Sequence, residues 1–213
     1  MTTPIEFWFS IASTYTYLSV CRMADVVGRT GIEIRCNPFN VRTIMLEQNN
    51  IPFRTKPVKL AYMWRDIERR AALYGLPFAG PAPYPLKDVS LADGVALLGA
   101  REGWCLEYTA AVYRRWFLGH QDMSNDEQIG AALKEVGQNP ERIIALARGD
   151  GLQAELASAT ERAKELGVFG SPTFVVGDEV FWGDDRLDDA ITWAQKGALT
   201  ERLHTRTVAS GRT

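Results

Sequence analysis

Strand-type patterning occurs only towards the two ends of this chain, with a long stretch of helical patterning between them. "PIEFWF", residues 4 to 9, places Ile5, Phe7 and Phe9 on one face of a short strand. Helical spacing follows through Tyr17, Val20, Ala24 and Val27, with Cys21 beside the stripe and Gly28 and Gly31 at its end. "IEIRCNPF" then alternates Ile32, Ile34 and Cys36 as a second strand that Pro38 ends or bends. Strand, helix and strand in this order make a βαβ unit, normally parallel and right-handed. Towards the other end, Thr173 to Val176 and Glu179 to Trp182 flank Gly177-Asp178, a two-residue hairpin turn. "DDRLDDAITWAQKG" follows as a helix with Asp184 or Asp185 at its N-cap.

From about residue 42 to 167 the periods are helical. Leu60, Met63, Ile67, Ala71 and Leu73 mark one stripe, with Gly75 at its C-terminal side. "LPFAGPAPYPLKD" is a proline-rich connector, and Ser90 with Asp93 three residues on reads as a weak capping box. Further helices are expected in "EYTAAVYRRWFLG", "SNDEQIGAALKEVG", "NPERIIALARG" (Pro140 in its first turn) and "LQAELASATERAKELG". The expected organisation is one α/β unit, residues 1–41 and 168–213, interrupted by an all-helical insertion, 42–167. A chain of 213 residues is long enough for that.

Ser171-Pro172 stands immediately ahead of the third strand. Proline removes a ladder donor, so it belongs at a strand start, an edge or a bulge. A cis bond here would turn the backbone of Ser171 towards a ligand. With βαβ, helical insertion and ββα in that order, the layout resembles the thioredoxin-like fold. Pro172 would then lie against the start of the first helix, where ligands of that fold bind.

Composition narrows the function. Net charge is −2 with acids and bases interspersed, whereas a nucleic-acid footprint needs a basic face. No apolar run reaches the roughly 18 residues of a membrane span. "MTTPIEFWFS" has no basic n-region, so no secretion signal is expected. Cys21, Cys36 and Cys105 are widely spaced, with no C-x-x-C, which fits a reducing cytoplasm and no zinc knuckle. No phosphate-loop or dinucleotide glycine motif is present.

The opposite wall of the expected site is "SIASTYTYL", residues 10 to 18. A redox protein of this layout carries C-x-x-C there; this chain has Ser13-Thr14-Tyr15-Thr16. Its own cysteines therefore cannot exchange disulfides at that place. A hydroxyl near a helix N-terminus suits a different task, donating a hydrogen bond to a thiolate brought by a ligand. Such a bond contributes roughly 1.5–3 kcal/mol and the helix terminus about 0.3–1 kcal/mol more. Together they would lower a thiol pKa by about one to three units. Glutathione is the natural soluble thiol.

The chain resembles the 2-hydroxychromene-2-carboxylate isomerases and the related kappa-class glutathione transferases, over roughly residues 5 to 196. "GVFGSPTFVVGDEVFWGDDRLDDAI" and "NIPFRTKPVKLAYMWRDIERRAALYGLPF" carry the likeness. It implies that Ser13 hydrogen-bonds the glutathione sulfur, and that Asn50 and Lys59 stand near the glutathione site. It implies that Ser171, ahead of Pro172, pairs with the cysteinyl main chain, and that Asp184 and Asp185 hold the γ-glutamyl amino group. The implied reaction opens a chromene carboxylate to a trans-hydroxybenzylidene pyruvate, with thiolate addition, bond rotation and elimination. Relatives are often dimers, which extends a homodimer to this chain by analogy. Many relatives read F-D-x-x-S-P-Y where this chain has "FSIASTY", and Asp184 stands where serine is common.

The same residues have plainer readings from pattern alone. Ser13 and Asp185 are helix caps, Lys59 a solvated charge, Asn50 a turn former. His120 is a surface histidine, and Trp8 and Trp182 are core. Beside the isomerase stand a transferase that conjugates an electrophile, a non-catalytic thioredoxin-fold binding protein, and a disulfide oxidoreductase that lacks its cysteine pair.

Overall fold

The computed structural model describes residues 2–50 and 53–199. His204 and the last part of the expected α/β unit lie outside the described residues. Strand β1 (Ile5–Phe9), helix α1 (Thr16–Thr30) and strand β2 (Ile34–Pro38) form the expected βαβ unit, β1 and β2 running parallel. Strands β3 (Thr173–Val176) and β4 (Glu179–Trp182) complete a four-stranded sheet of order β2-β1-β3-β4, with β3 antiparallel to both β1 and β4. Phe7 lies opposite Cys36 on one side and Phe174 on the other.

Alternation along β1 decides what each sheet face packs against. Phe7 stacks on Phe9 at 4.7 Å and on Phe174 at 5.4 Å, all fully buried in the main core. Trp8 points the other way, into a smaller cluster with Phe39, Val41, Ile44, Ala163 and Val175. Burying each such ring stabilises the fold by roughly 1.5–3 kcal/mol.

Between β2 and β3 lie α2 (Val41–Glu47), α3 (Pro57–Tyr74), α4 (Ser90–Glu102), α5 (Cys105–Phe117), α6 (Asp126–Glu135), α7 (Pro140–Arg148) and α8 (Asp150–Glu165). Asn40, Asn125 and Asn139 cap α2, α6 and α7, each side chain accepting from backbone N–H groups of the first turn. The main core runs without a break from Phe7 and Val20 into Ala92, Tyr108, Trp116 and Leu133. Among the described residues no helix is long and apolar enough to cross a membrane.

Several expectations change in detail. Tyr17 and Val20 of the expected α1 stripe are buried, and the stripe continues through Met23 and Val26; Ala24 is exposed and Val27 is 36% exposed. Past Val20 the helix steps by three residues where the expected stripe stepped by four. Gly28 sits inside the helix, and Gly31 ends it with φ 64. Leu73 is 72% exposed, because two residues past buried Ala71 it falls on the opposite face of the helix. Ser90 does not cap α4: the Asp88 carboxylate accepts from the Ser90 N–H at 2.9 Å and from its hydroxyl at 2.8 Å. Asp93 belongs to no capping box, because its side chain turns inward and is fully buried.

After β4, Asp184–Arg186 make a 3-10 turn that leads into α9 (Leu187–Lys196). Neither Asp184 nor Asp185 caps α9, since no side chain bonds its first N–H groups. The connector from Leu76 to Asp88 is tied down through its carbonyls. Tyr17 donates to Pro77, Trp116 to Pro83 at 2.7 Å, and Arg42 to Leu86 and Lys87 at 2.7 and 2.6 Å.

Candidate active site

The loop from Ser10 to Tyr15 joins β1 to α1 at the sheet end where β3 begins. Three partners fix its path. The Asp93 carboxylate of α4 accepts from the Ser10 hydroxyl at 2.8 Å and the Ile11 N–H at 2.7 Å. The Tyr113 hydroxyl of α5 donates to the carbonyls of Ser10 and Ser13, at 3.3 and 2.8 Å. The Ser171 hydroxyl accepts from the Ser10 N–H at 3.0 Å and pairs with the Thr16 hydroxyl at 2.9 Å. Sequence pattern hid Asp93 and Tyr113, whose partners lie 82 and 103 residues away.

The Ser171-Pro172 peptide bond is cis, and so is Tyr84-Pro85, which the sequence reading did not single out. Ser13 is not the cap of α1; that position belongs to Tyr15, two residues on. The half-buried Ser13 hydroxyl instead donates to the Ser171 carbonyl at 2.6 Å.

Two adjoining cavities meet at this point, sharing Tyr15, Tyr62, Ser171 and Trp182 in their walls. The larger, about 570 Å³, takes in Ser13, Asn50 and Lys59. Its walls are mostly apolar, including Val41, Met45, Phe53, Tyr84 and Phe169, and its charged lining residues are the cations Arg42 and Lys59. The smaller, about 360 Å³, takes in Ser171, Pro172, Asp184 and Asp185, together with Asp66 and Arg70. All seven candidate residues therefore line one of two contiguous hollows. Asn50 is exposed just past α2, its N–H bonded to the Met45 carbonyl at 2.7 Å. Lys59 is exposed in the first turn of α3.

Trp182 is not core. It is 53% exposed, its ring 4.8 Å from that of Phe169; together they form an aromatic rim on the larger cavity, and Trp182 also lines the smaller. Gly170 makes this possible: a Cβ there would stand 2.3 Å from Trp182 Nε1. Trp8 is core, as expected, and His120 lies on the surface.

Asp184 is 3% exposed and accepts from the Ser19 hydroxyl at 2.9 Å, with the Arg22 guanidinium 3.5 Å away. Its Oδ2 is buried and has no hydrogen-bond partner among the described residues. Burial raises the Asp184 carboxyl above its ordinary range, against the pull of Arg22 and the Ser19 hydroxyl. Asp185 is exposed. Tyr15 donates to Asp66 at 3.1 Å, and burial, then the Asp66 charge, raise its pKa, so it stays a neutral donor. An acceptor-rich small cavity beside an apolar, cationic large one can hold a zwitterionic chain end next to an aromatic anion.

Residues 4–191 match the model of the DSBA-like thioredoxin domain. A 2-hydroxychromene-2-carboxylate isomerase of Sphingobium xenophagum is 31% identical over 88% of this chain and 96% of its own length. Glutathione S-transferase kappa 2 of Caenorhabditis elegans is 23% identical over 93% of this chain and 96% of its own. A solved structure of a 2-hydroxychromene-2-carboxylate isomerase superposes with a TM-score of 0.79 at 24% identity, covering 88% of this chain and 92% of that one. The chain thus belongs to the DSBA-like thioredoxin family and, within it, to the 2-hydroxychromene-2-carboxylate isomerase family.

Proposed function

We propose that this protein is a glutathione-dependent isomerase of an aromatic carboxylate of the 2-hydroxychromene-2-carboxylate type. The observation that carries the reading is the meeting of two unlike cavities at Ser13 and Ser171. The small cavity offers what a zwitterionic peptide end needs: the unpartnered Asp184 Oδ2, Asp185 and the Arg70 guanidinium. The large cavity offers an apolar bed with Arg42 and Lys59 for an aromatic anion. One relative carries the name of a glutathione transferase, which supports the thiol.

Glutathione, when bound, would supply the thiol nucleophile for reversible addition to the conjugated substrate. Ser13 turns its hydroxyl from the Ser171 carbonyl to the sulfur, where a charge-assisted bond contributes roughly 1.5–3 kcal/mol. The N-terminal end of α1 adds a favourable field at the same place. Ser171, freed from Ser13, offers its carbonyl to the peptide main chain, as an edge strand would. Arg42 and Lys59 orient the carboxylate, and the Phe169–Trp182 rim holds the ring against the sulfur side. The chain's own groups would hold a bound thiol and the substrate within reach of one another, a positioning effect.

The test is spectroscopic turnover of the chromene carboxylate with and without glutathione. Turnover that requires glutathione and leaves the thiol count unchanged supports isomerisation. A stable conjugate by mass analysis supports the transferase reading, which uses the same site. Turnover in neither condition overturns both.

A further inference from the structure

Asp93 is the carboxylate that bonds the Ser10–Ile11 end of the loop carrying Ser13, and the reaction outlined above gives it no role. It is fully buried, comes from α4, and grips two successive loop residues with its two oxygens, Ile11 N–H on Oδ1 and Ser10 hydroxyl on Oδ2. The Ser10 hydroxyl in turn accepts from the Ala12 N–H at 3.3 Å, and the Ser10 carbonyl accepts from the Ser13 N–H at 3.1 Å. Four consecutive residues, Ser10 to Ser13, thus hang from one side chain that touches neither cavity wall.

We propose that Asp93 is the positioning residue of the Ser13 loop, setting where the Ser13 hydroxyl stands relative to a bound thiol and making that placement depend on a proton remote from the sulfur. The proposal rests on the glutathione reading for its effect on turnover, and on the loop geometry alone for its effect on Ile11.

The groups that face Asp93 show why its proton matters at ordinary pH. Burial pushes the carboxyl up to about 7; the Ile11 N–H, the Ser10 hydroxyl and the Arg42 charge pull it down, and Asp88 pushes it up. Tyr108 and Tyr113, the other titratable neighbours, are fully buried and stay neutral. Above about 7 the carboxylate accepts from both loop donors. Below it, the proton on Oδ2 would have to be donated to Ser10 Oγ, so the Ser10 hydroxyl loses the acceptor for its own proton. The group's folded pKa lies above its ordinary 3.8. Its protonation therefore favours the fold at low pH, and that contribution is lost as pH rises from about 4 to about 7. Loop order and global stability pull in opposite directions across that window.

Two variants separate the consequences. In Asp93→Asn the amide oxygen can keep the Ile11 N–H and the amide nitrogen can donate to Ser10 Oγ, without a titratable proton. In Asp93→Leu both contacts go. The experiment follows the Ile11 amide proton shift in ¹⁵N-labelled protein from pH 5.5 to 8.5, and the thiolate absorbance of added glutathione over the same range. Turnover is measured alongside. The wild-type Ile11 shift is expected to titrate near pH 7 and to be flat in Asp93→Asn, with the thiolate curve showing an inflection at the same pH only in wild type. Asp93→Leu should lose about ten- to a hundredfold in kcat with a smaller change in the glutathione KM. An Ile11 shift that does not titrate, or identical thiolate curves for wild type and Asp93→Asn, overturns the proposal even if Asp93→Leu fails to fold. If wild type forms no thiolate with glutathione, the glutathione reading falls, while the Ile11 titration still decides whether Asp93 governs the loop.

Discussion

The Ser13 hydroxyl donates to the Ser171 carbonyl at 2.6 Å, so the proposed sulfur-binding group and the proposed peptide-binding group are in direct contact across 158 residues of chain. Ser13 can give its proton to only one acceptor, so turning to a bound sulfur releases the Ser171 carbonyl, which then accepts the peptide N–H alone. Binding and activation of the thiol are then linked through one small rotation.

Ser13→Ala tests that linkage. Losing a charge-assisted bond of roughly 1.5–3 kcal/mol should lower kcat about ten- to a hundredfold. The Ser171 carbonyl stays available, so the glutathione KM should move far less. The hydroxyl is no helix cap and the fold loses one hydrogen bond, so circular dichroism should match wild type and Tm should fall by a few degrees at most. Unchanged turnover in Ser13→Ala removes the hydroxyl from the mechanism.

What the sequence made legible was local. Alternation marked β1 and β2, Gly31 and Gly75 closed their helices, and Ser171-Pro172 headed a strand with a cis bond. What it hid depends on which element stands opposite. Asp93 three residues after Ser90 has the spacing of a cap, and only the arrival of the β1–α1 loop over α4 turns it inward. Trp182 looks like core because it is large and lies in a strand. It is exposed because β4 is the outer strand and Gly170 leaves a slot beneath the indole. The Asp184-Asp185 pair shows the same limit: one turn of chain buries the first and exposes the second.

Asp184→Asn should separate stability from ligand binding. The carboxyl is held above its ordinary 3.8, chiefly by burial. A group raised in the folded state gives its stabilisation below the unfolded value and loses it as pH rises through the folded one. Wild type should therefore lose Tm relative to Asp184→Asn as pH is raised from about 4 towards neutrality. Glutathione should bind the variant more weakly, because Oδ2 is the acceptor proposed for its amino group. Parallel Tm curves at all pH values would contradict the sign, and equal glutathione affinity would contradict the role.

Gly170→Ala should move a ring rather than the backbone. The added Cβ would meet Trp182 Nε1 at 2.3 Å and Cε2 at 3.0 Å. Half-exposed Trp182 can shift outward at little cost to the core. Tm should change by a few degrees at most, while tryptophan emission shifts and the KM for the aromatic substrate rises. An unshifted spectrum with unchanged KM would show that the rim does not bear on the substrate.

Arg42 is the sharpest test of what the large cavity selects. Its guanidinium is aligned by two connector carbonyls, Leu86 and Lys87, and it stands with Lys59 as the positive charge of a mostly apolar wall. Arg42→Met keeps the apolar stem and deletes the charge. The KM for the carboxylate substrate should rise roughly tenfold or more, matching the 1.5–3 kcal/mol of a charged hydrogen bond. Arg42 also ties down the connector, and a connector disturbed by Arg42→Met would affect acid and ester alike. A methyl ester of the substrate therefore serves as the internal control: its KM should barely differ between wild type and Arg42→Met. If acid and ester lose affinity equally, Arg42 shapes the wall through Leu86 and Lys87 and does not read the anion.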